Sequence, residues 1–202
     1  LPLPTSLAGT TVTVRDSQGH EKLAELFFVS PNQINYLMPA DLAEGKAIVT
    51  VRNGAGQMRT GATEIAKVAP GLFTADASGK GLASAVALRV RANGQQVFET
   101  VANYDSQQQK FVAAPIDLTV PGEQVYLILF GTGFRHRSSI DQVKIQIGSL
   151  DVEPLYADES PGLLGMDQIN LLLPNELAGI GEVEMALKVD GKTANIIKLR
   201  FK

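Results

Sequence analysis

Cysteine is absent from these 202 residues, which removes disulfides, thiolate metal sites and cysteine nucleophiles without identifying the compartment. Tryptophan is absent as well, and with it the commonest platform for stacking a sugar ring. Only two histidines are present, His20 in a Gln-Gly-His-Glu turn and His136 between Arg135 and Arg137. Neither has a second histidine at ligand spacing, so both read as solvent-facing loop residues. Charge of one sign is missing too. Eighteen basic residues stand against twenty-one acidic ones, and no stretch is basic enough to gather phosphates, so nucleic acid is not an expected partner. The longest strongly apolar run, Val125 to Phe130, is far shorter than the roughly 20 residues that cross a bilayer as a helix, and no membrane insertion is expected. No charged and apolar leader is visible either, which places any export signal upstream of a chain that is then a fragment.

What is abundant is punctuation. Nineteen glycines and ten prolines interrupt the chain so often that long helices have almost no room, whereas one strand and one turn fit between interruptions. Strict alternation in Val143-Lys144-Ile145-Gln146-Ile147 and again from Val183 to Val189 predicts antiparallel strands with one face on a core and one in water. Asn53-Gly54, Asn93-Gly94 and Asp190-Gly191 each lie between β-rich runs and predict three hairpins with type I′ turns. The middle one joins the run from Ala83 to Arg91 with that from Gln96 to Ala102. The segment from Asn103 to Lys110, with its three successive glutamines, reads as a polar loop.

The chain also repeats itself. Residues 33–43, Gln-Ile-Asn-Tyr-Leu-Met-Pro-Ala-Asp-Leu-Ala, align without gaps on residues 168–178, Gln-Ile-Asn-Leu-Leu-Leu-Pro-Asn-Glu-Leu-Ala, with seven of eleven positions identical. Both copies continue into a glycine, a β-run and a turn, and upstream Leu26-Phe27-Phe28 before Ser30-Pro31 parallels Leu155-Tyr156 before Ser160-Pro161. In each copy a strand ends at Pro39 or Pro174. Proline fits the first turn of a short helix, where Asp41 or Glu176 suits the amide end. Strand, helical turn, strand is a corner that carries a chain from one sheet of a sandwich to the other. The expected fold is therefore all-β, two tandem Ig-like β-sandwich modules: a first over residues 1–70, a connecting segment with a β-hairpin over 71–114, and a second over 115–202. The central hairpin either completes the first module or bridges both.

Leu3-Pro4-Thr5-Ser6-Leu7-Ala8-Gly9-Thr10-Thr11-Val12-Thr13-Val14, then Phe28-Val29-Ser30-Pro31-Asn32-Gln33-Ile34-Asn35, then Ala69-Pro70-Gly71-Leu72-Phe73-Thr74, and finally Pro121-Gly122-Glu123 with Gly131-Thr132-Gly133 resemble, in order, the blocks of an uncharacterised Solibacter-type C-terminal domain family of acidobacteria. The Gly131-Thr132-Gly133-Phe134 turn is similar to the IPT/TIG pattern of Ig-like domains. The resemblance implies an IPT/TIG-like module pair at the C-terminal end of a secreted or cell-surface protein. It carries no catalytic residues.

Chemistry is sparse. Gly131-Thr132-Gly133 lacks the third glycine of a dinucleotide fingerprint, and Ser78-Gly79-Lys80-Gly81 lacks both the first glycine and the hydroxyl of a phosphate loop. No Gly-x-Ser-x-Gly elbow presents a serine, so no enzyme, cofactor or catalytic residue is expected. Asp151, Glu153, Asp158 and Glu159 bracket one predicted loop and offer oxygen ligands for Ca²⁺, although their spacing matches no EF-hand and solvated carboxylates are the preferred reading. Arg135 and Arg137 offer a small grip for an anionic glycan or carboxylate, with a solvated turn preferred. Tyr36, Tyr126 and Tyr156 complete the candidate ligand contacts. Gln33 with Asn35, and Gln168 with Asn170, face one side of their strands, where their amides are expected to satisfy backbone groups near the corner. The expected role is a structural spacer or protein-contact and adhesion unit partnered by another protein or an upstream domain. The alternative is a carbohydrate-binding accessory module.

Overall fold

A computed structural model describes residues 2–202. The chain is all-β: no α-helix occurs among the described residues, only two single 3-10 turns at Ile140–Gln142 and Asn175–Leu177. It divides into two compact units, one ending at Lys67 and the other spanning Val68–Lys202.

The first unit holds β1 (Thr11–Arg15), β2 (Glu21–Leu23), β3 (Glu25–Val29), β4 (Ile34–Leu37), β5 (Gly45–Arg52) and β6 (Met58–Ile65). Four of these form an antiparallel sheet in the order β2-β1-β5-β6, and β3 and β4 pair as a separate hairpin. Val12, Ala24 and Leu26 make its small core, with Ile34, Tyr36, Val49 and Val51 packed half-buried against it. Period two is the cause: Val12 and Val14 turn inward from β1 while Thr11, Thr13 and Arg15 do not.

The second unit holds β7 (Gly71–Leu72), β8 (Gly81–Leu82), β9 (Ala85–Val90), β10 (Gln96–Thr100), β11 (Ala102–Asp105), β12 (Lys110–Ala113), β13 (Gln124–Thr132), β14 (Val143–Ile147), β15 (Leu150–Val152), β16 (Pro154–Glu159), β17 (Asp167–Leu172), β18 (Gly181–Val189), β19 (Lys192–Thr193) and β20 (Ile197–Phe201). One sheet runs β10-β9-β13-β17-β16, with β7 on the end of β13. The other runs β15-β14-β18-β20-β8, with β19 on β18. The inward residues of both, Val125, Leu127, Leu129, Ile169 and Leu171 from one and Ile145, Ile147, Met185, Leu187 and Leu199 from the other, belong to one core. This is the Ig-like sandwich that the alternating runs predict, antiparallel in its pairing except that β8 runs parallel to β20.

The internal repeat is visible as topology. β1 to β5 pair among themselves as β14 to β18 do, hairpin for hairpin, and the third strand of each set carries a register shift, between Leu26 and Phe28 in β3 and between Pro154 and Tyr156 in β16. The corner after Pro174 is the expected one. A 3-10 turn with Glu176 in it carries the chain from the sheet of β17 to that of β18. After Pro39 no helical turn forms, because Asp41 takes a φ of +57° and the chain bends instead.

Three other expectations change. The segment 71–114 is not a connector. β9 lies between β10 and β13 with six residue pairs on β13, so the central hairpin belongs to the second unit and a module starting at 115 would lack those strands. The glutamine-rich stretch is not a loop but the β11–β12 hairpin. Asp105 turns it by accepting from the amides of Gln107 and Gln108, and Tyr104 meets Phe111 edge-on at 5.4 Å. All three predicted hairpins form, but only Asp190-Gly191, with φ of +47° and +81°, makes the two-residue turn. At the other two sites the loop has three residues, and Gly56 or Gly94 takes the left-handed position after a tight turn closed by the Asn53 or Arg91 carbonyl.

Candidate functional site

The run Val125 to Phe130 is apolar at every position, a pattern usual for strands covered on both faces. In β13, Val125, Leu127 and Leu129 are buried in the core, whereas Tyr126, Ile128 and Phe130 point to the opposite face and are only part-buried. Cross-strand pairing extends that outward face into rows. Phe98 of β10, Leu88 of β9, Tyr126 of β13 and Leu172 of β17 stand directly opposite one another in turn. The next row is Val86, Ile128, Asn170 and Tyr156. Phe98 is 65% exposed and Leu172 37%, and none of these apolar residues joins the core. The two rows make this outward face apolar and aromatic-bearing at its centre.

The five candidate ligand contacts divide into three places. Tyr126 and Tyr156 share the outward face, and their hydroxyls donate to Gln124 Oε1 at 3.1 Å and to the Glu159 carbonyl. Tyr36 lies in the first unit, half-buried against its core, where desolvation raises its phenol above the ordinary value. Arg135 and Arg137 follow β13 in the loop after Gly133.

The two arginines and two of the four acidic candidates, Asp158 and Glu159, turn out to be one another's partners. Arg137 pairs with Asp158 at 3.0 Å, and Arg135 pairs with Glu159 at 3.2 Å while also gripping the fully buried Asp167 and donating to the Met166 carbonyl at 2.9 Å. Asp167 in turn accepts from the amides of Phe134 and Arg135 at 2.8 and 3.1 Å. At Asp158, desolvation pushes upward, but the Glu159 amide and Arg137 outweigh it, and the carboxyl lies below its ordinary value. Asp151, Glu153, Asp158 and Glu159 sit on or beside β15 and β16 rather than on a loop, with Glu153 within 3.9 Å of Lys144. Among the described residues no three histidine, aspartate or glutamate side chains converge as a metal site would need. His20 and His136 are exposed. His20 Nδ1 lies 3.2 Å from Asp16 Oδ2.

Two polar groups outside the sequence reading organise the second unit. Arg89 projects from β9 and is only 6% exposed. It bonds Glu99 through two nitrogens at 2.7 and 3.0 Å, Glu123 at 3.1 Å and the Asp117 carbonyl at 2.9 Å. It borders a cleft of about 280 Å³ lined also by Leu118, Val120, Leu173 and Pro174. Asn195 clamps β7, accepting from the Leu72 amide at 2.8 Å and donating to the Leu72 carbonyl at 2.9 Å. Compared with protein-family models and with curated protein sequences, the chain matches none.

Proposed function

We propose that this chain is a non-catalytic, Ig-like protein-contact and spacing unit of a secreted or cell-surface protein. The observation that carries the reading is the outward face of the β10-β9-β13-β17-β16 sheet, where Phe98, Leu88, Tyr126 and Leu172 form an apolar row. Burying such a row against a partner returns roughly 25 cal/mol for each Å² removed from water, and aromatic residues at its centre are the usual anchors. The resemblance to C-terminal domains of acidobacterial surface proteins, with IPT/TIG-like modules, supports the location and the adhesion role. A photo-reactive amino acid in place of Phe98, with one in place of His136 as control, tests it on the protein in its native cells. Crosslinks to protein from position 98 and none from position 136 support the contact role.

The second reading is a carbohydrate-binding accessory module. It is favoured by one observation, that Tyr126 and Tyr156 present rings on the same face. Retardation in a polysaccharide-containing gel that is lost in Phe98→Ser and Tyr126→Ser would select this reading over the first.

A further inference from the structure

The two sheets of the second unit turn opposite kinds of surface outward. On β14, β18 and β20 the outward positions are charged, with Glu182 opposite Arg200, Glu184 opposite Lys198 and Lys144 opposite Lys188. That face is suited to water. The outward face of the β10-β9-β13-β17-β16 sheet is different. Beyond its Phe98 row lies the row Gln96, Val90 and Gln124, and beyond its Val86 row lies Phe130, Gln168 and Asp158. Of the described residues in these four rows Asp158 alone is charged, and it stands at a corner, paired with Arg137 at 3.0 Å.

A partner that laid its own charges on such a face would bury them unpaired, so the surface that fits is another flat, uncharged and apolar one. Of the unit's two outward sheet faces only this one has that chemistry, and against its own copy it meets no like charge. Its size is sufficient. At about 4.8 Å between strands and about 3.3 Å per residue, four rows across five strands cover roughly 550 Å², and two copies face to face remove roughly 1,100 Å² from water, slightly more than the about 1,000 Å² that a specific interface needs.

Its shape is self-complementary as well. Two faces pressed together by twofold symmetry share an axis in the plane of contact. With that axis along the central strand β13, Tyr126 meets its own counterpart, Leu88 of one copy lies on Leu172 of the other, and Phe98 reaches past the end of the opposing row. That end is open: β16 begins at Pro154, opposite Leu171, so no strand residue flanks Leu172 there. The projecting ring at one end of the row, 65% exposed, thus meets the gap at the other.

We infer that the chain forms a twofold dimer through this face, packed sheet on sheet. The inference rests on reading the face as a protein contact and names the protein as a second copy.

The test is sedimentation velocity of the full chain from about 1 to about 300 µM, a range in which a small interface of this kind is expected to dissociate. Phe98→Lys, at an exposed position that the fold does not need, is expected to raise the dissociation constant at least about tenfold, and Lys144→Glu on the opposite face to leave it unchanged. Since the chain has no cysteine, Gln124→Cys on β13 can be joined to its own counterpart by a short bismaleimide across sheets packed about 10 Å apart, and Gln146→Cys on the opposite face is not expected to be. A chain that stays monomeric at the highest concentration overturns the inference, as does a dimer unmoved by Phe98→Lys or one crosslinked equally at 124 and 146. Monomers in solution together with crosslinks from position 98 to a different protein in cells overturn the second copy as occupant and leave the contact role standing.

Discussion

Gln168 donates through Nε2 to Oδ1 of Asn170 at 2.8 Å across the outward side of β17, and Gln33 donates to Asn35 in the same way at 2.7 Å in β4. The amides repeated in both copies thus satisfy each other, not the backbone of the corner. Their surroundings differ. Gln168 Oε1 also accepts from the nearly buried Ser160 Oγ at 3.0 Å, whereas the Gln33–Asn35 pair is exposed. Asn170→Ala should therefore cost about 1 kcal/mol and Asn35→Ala less than about 0.5 kcal/mol. Thermal melts of both variants, with a double-mutant cycle through Gln168, measure this, and an equal or larger loss at Asn35 would refute it.

Gly133 meets Ala69 at backbone distance. The Ala69 amide donates to the Gly133 carbonyl at 2.8 Å, the φ of Gly133 is +80°, and a Cβ there would stand 2.1 Å from the Ala69 oxygen. Backbone strain and a clash that no flexible side chain can relieve act together. Gly133→Ala is expected to cost about 3 kcal/mol or more, while Gly79→Ala, with a φ of +74° but open space around it, should cost about 1 kcal/mol. Denaturant midpoints of the two variants separate strain from clash, and similar losses would show that the close approach to Ala69 does not matter.

Strands whose residues alternate were legible in the sequence because one face is wet, as in β14 and β18, and so was the repeat, which reappears as matched strand pairing. Which side of β13 faces the core was not legible, since a run apolar at every position hides its own orientation. The outward row through Phe98, Leu88, Tyr126 and Leu172 was missed for that reason, although the unbroken apolar run was its signal. The turns at Asn53-Gly54 and Asn93-Gly94 failed in type because loop length depends on the register of the flanking strands, which one dipeptide does not fix. Arg135 and Arg137 lie more than twenty residues from Asp158 and Glu159. Only the folded sheet shows that the candidate anion grip is paired with two of the four candidate calcium ligands.

Asp16 ties the first unit to a pH dependence. Its side chain accepts from the Ala43 amide at 2.8 Å and from the His20 and Gln18 amides at 2.9 Å, and these bonds, with that from Ala43 the strongest, outweigh desolvation and lower its pKa from 3.8 to about 2. A carboxylate with a depressed folded value stabilises fully above its unfolded pKa, so this contribution is present above about pH 4 and fades as pH falls toward 2. Asp117 in the second unit follows the same course, lowered to about 2 by the Thr119 hydroxyl and amide and by Lys202. Protection of the Ala43 amide, taken relative to the intrinsic exchange rate at each pH, should fall between pH 4 and 2 in the wild type. In Asp16→Asn that protection should already be low at pH 5, with little further change on acidification, and an unaltered pH profile of protection in that variant would dismiss Asp16 as the cause.

Arg89 is the second unit's most committed charge. Its bonds to Glu99 raise its pKa against the opposing effect of desolvation, and Glu99 is lowered in turn. Removing the guanidinium leaves the Asp117 carbonyl without this donor and two carboxylates, Glu99 and Glu123, without their counter-charge. Breaking a fully buried pair costs about 3–5 kcal/mol, but Glu99 remains open to water, so Arg89→Ala is expected to cost about 2–3 kcal/mol. Lysine keeps the charge but not the two-pronged grip on Glu99, and Arg89→Lys should fall between the two. Following the β13 amide signals through a urea titration reads the second unit alone. A loss below about 0.5 kcal/mol in Arg89→Ala would mean that water replaces the guanidinium at little cost, making the cluster a surface ion pair in energetic terms.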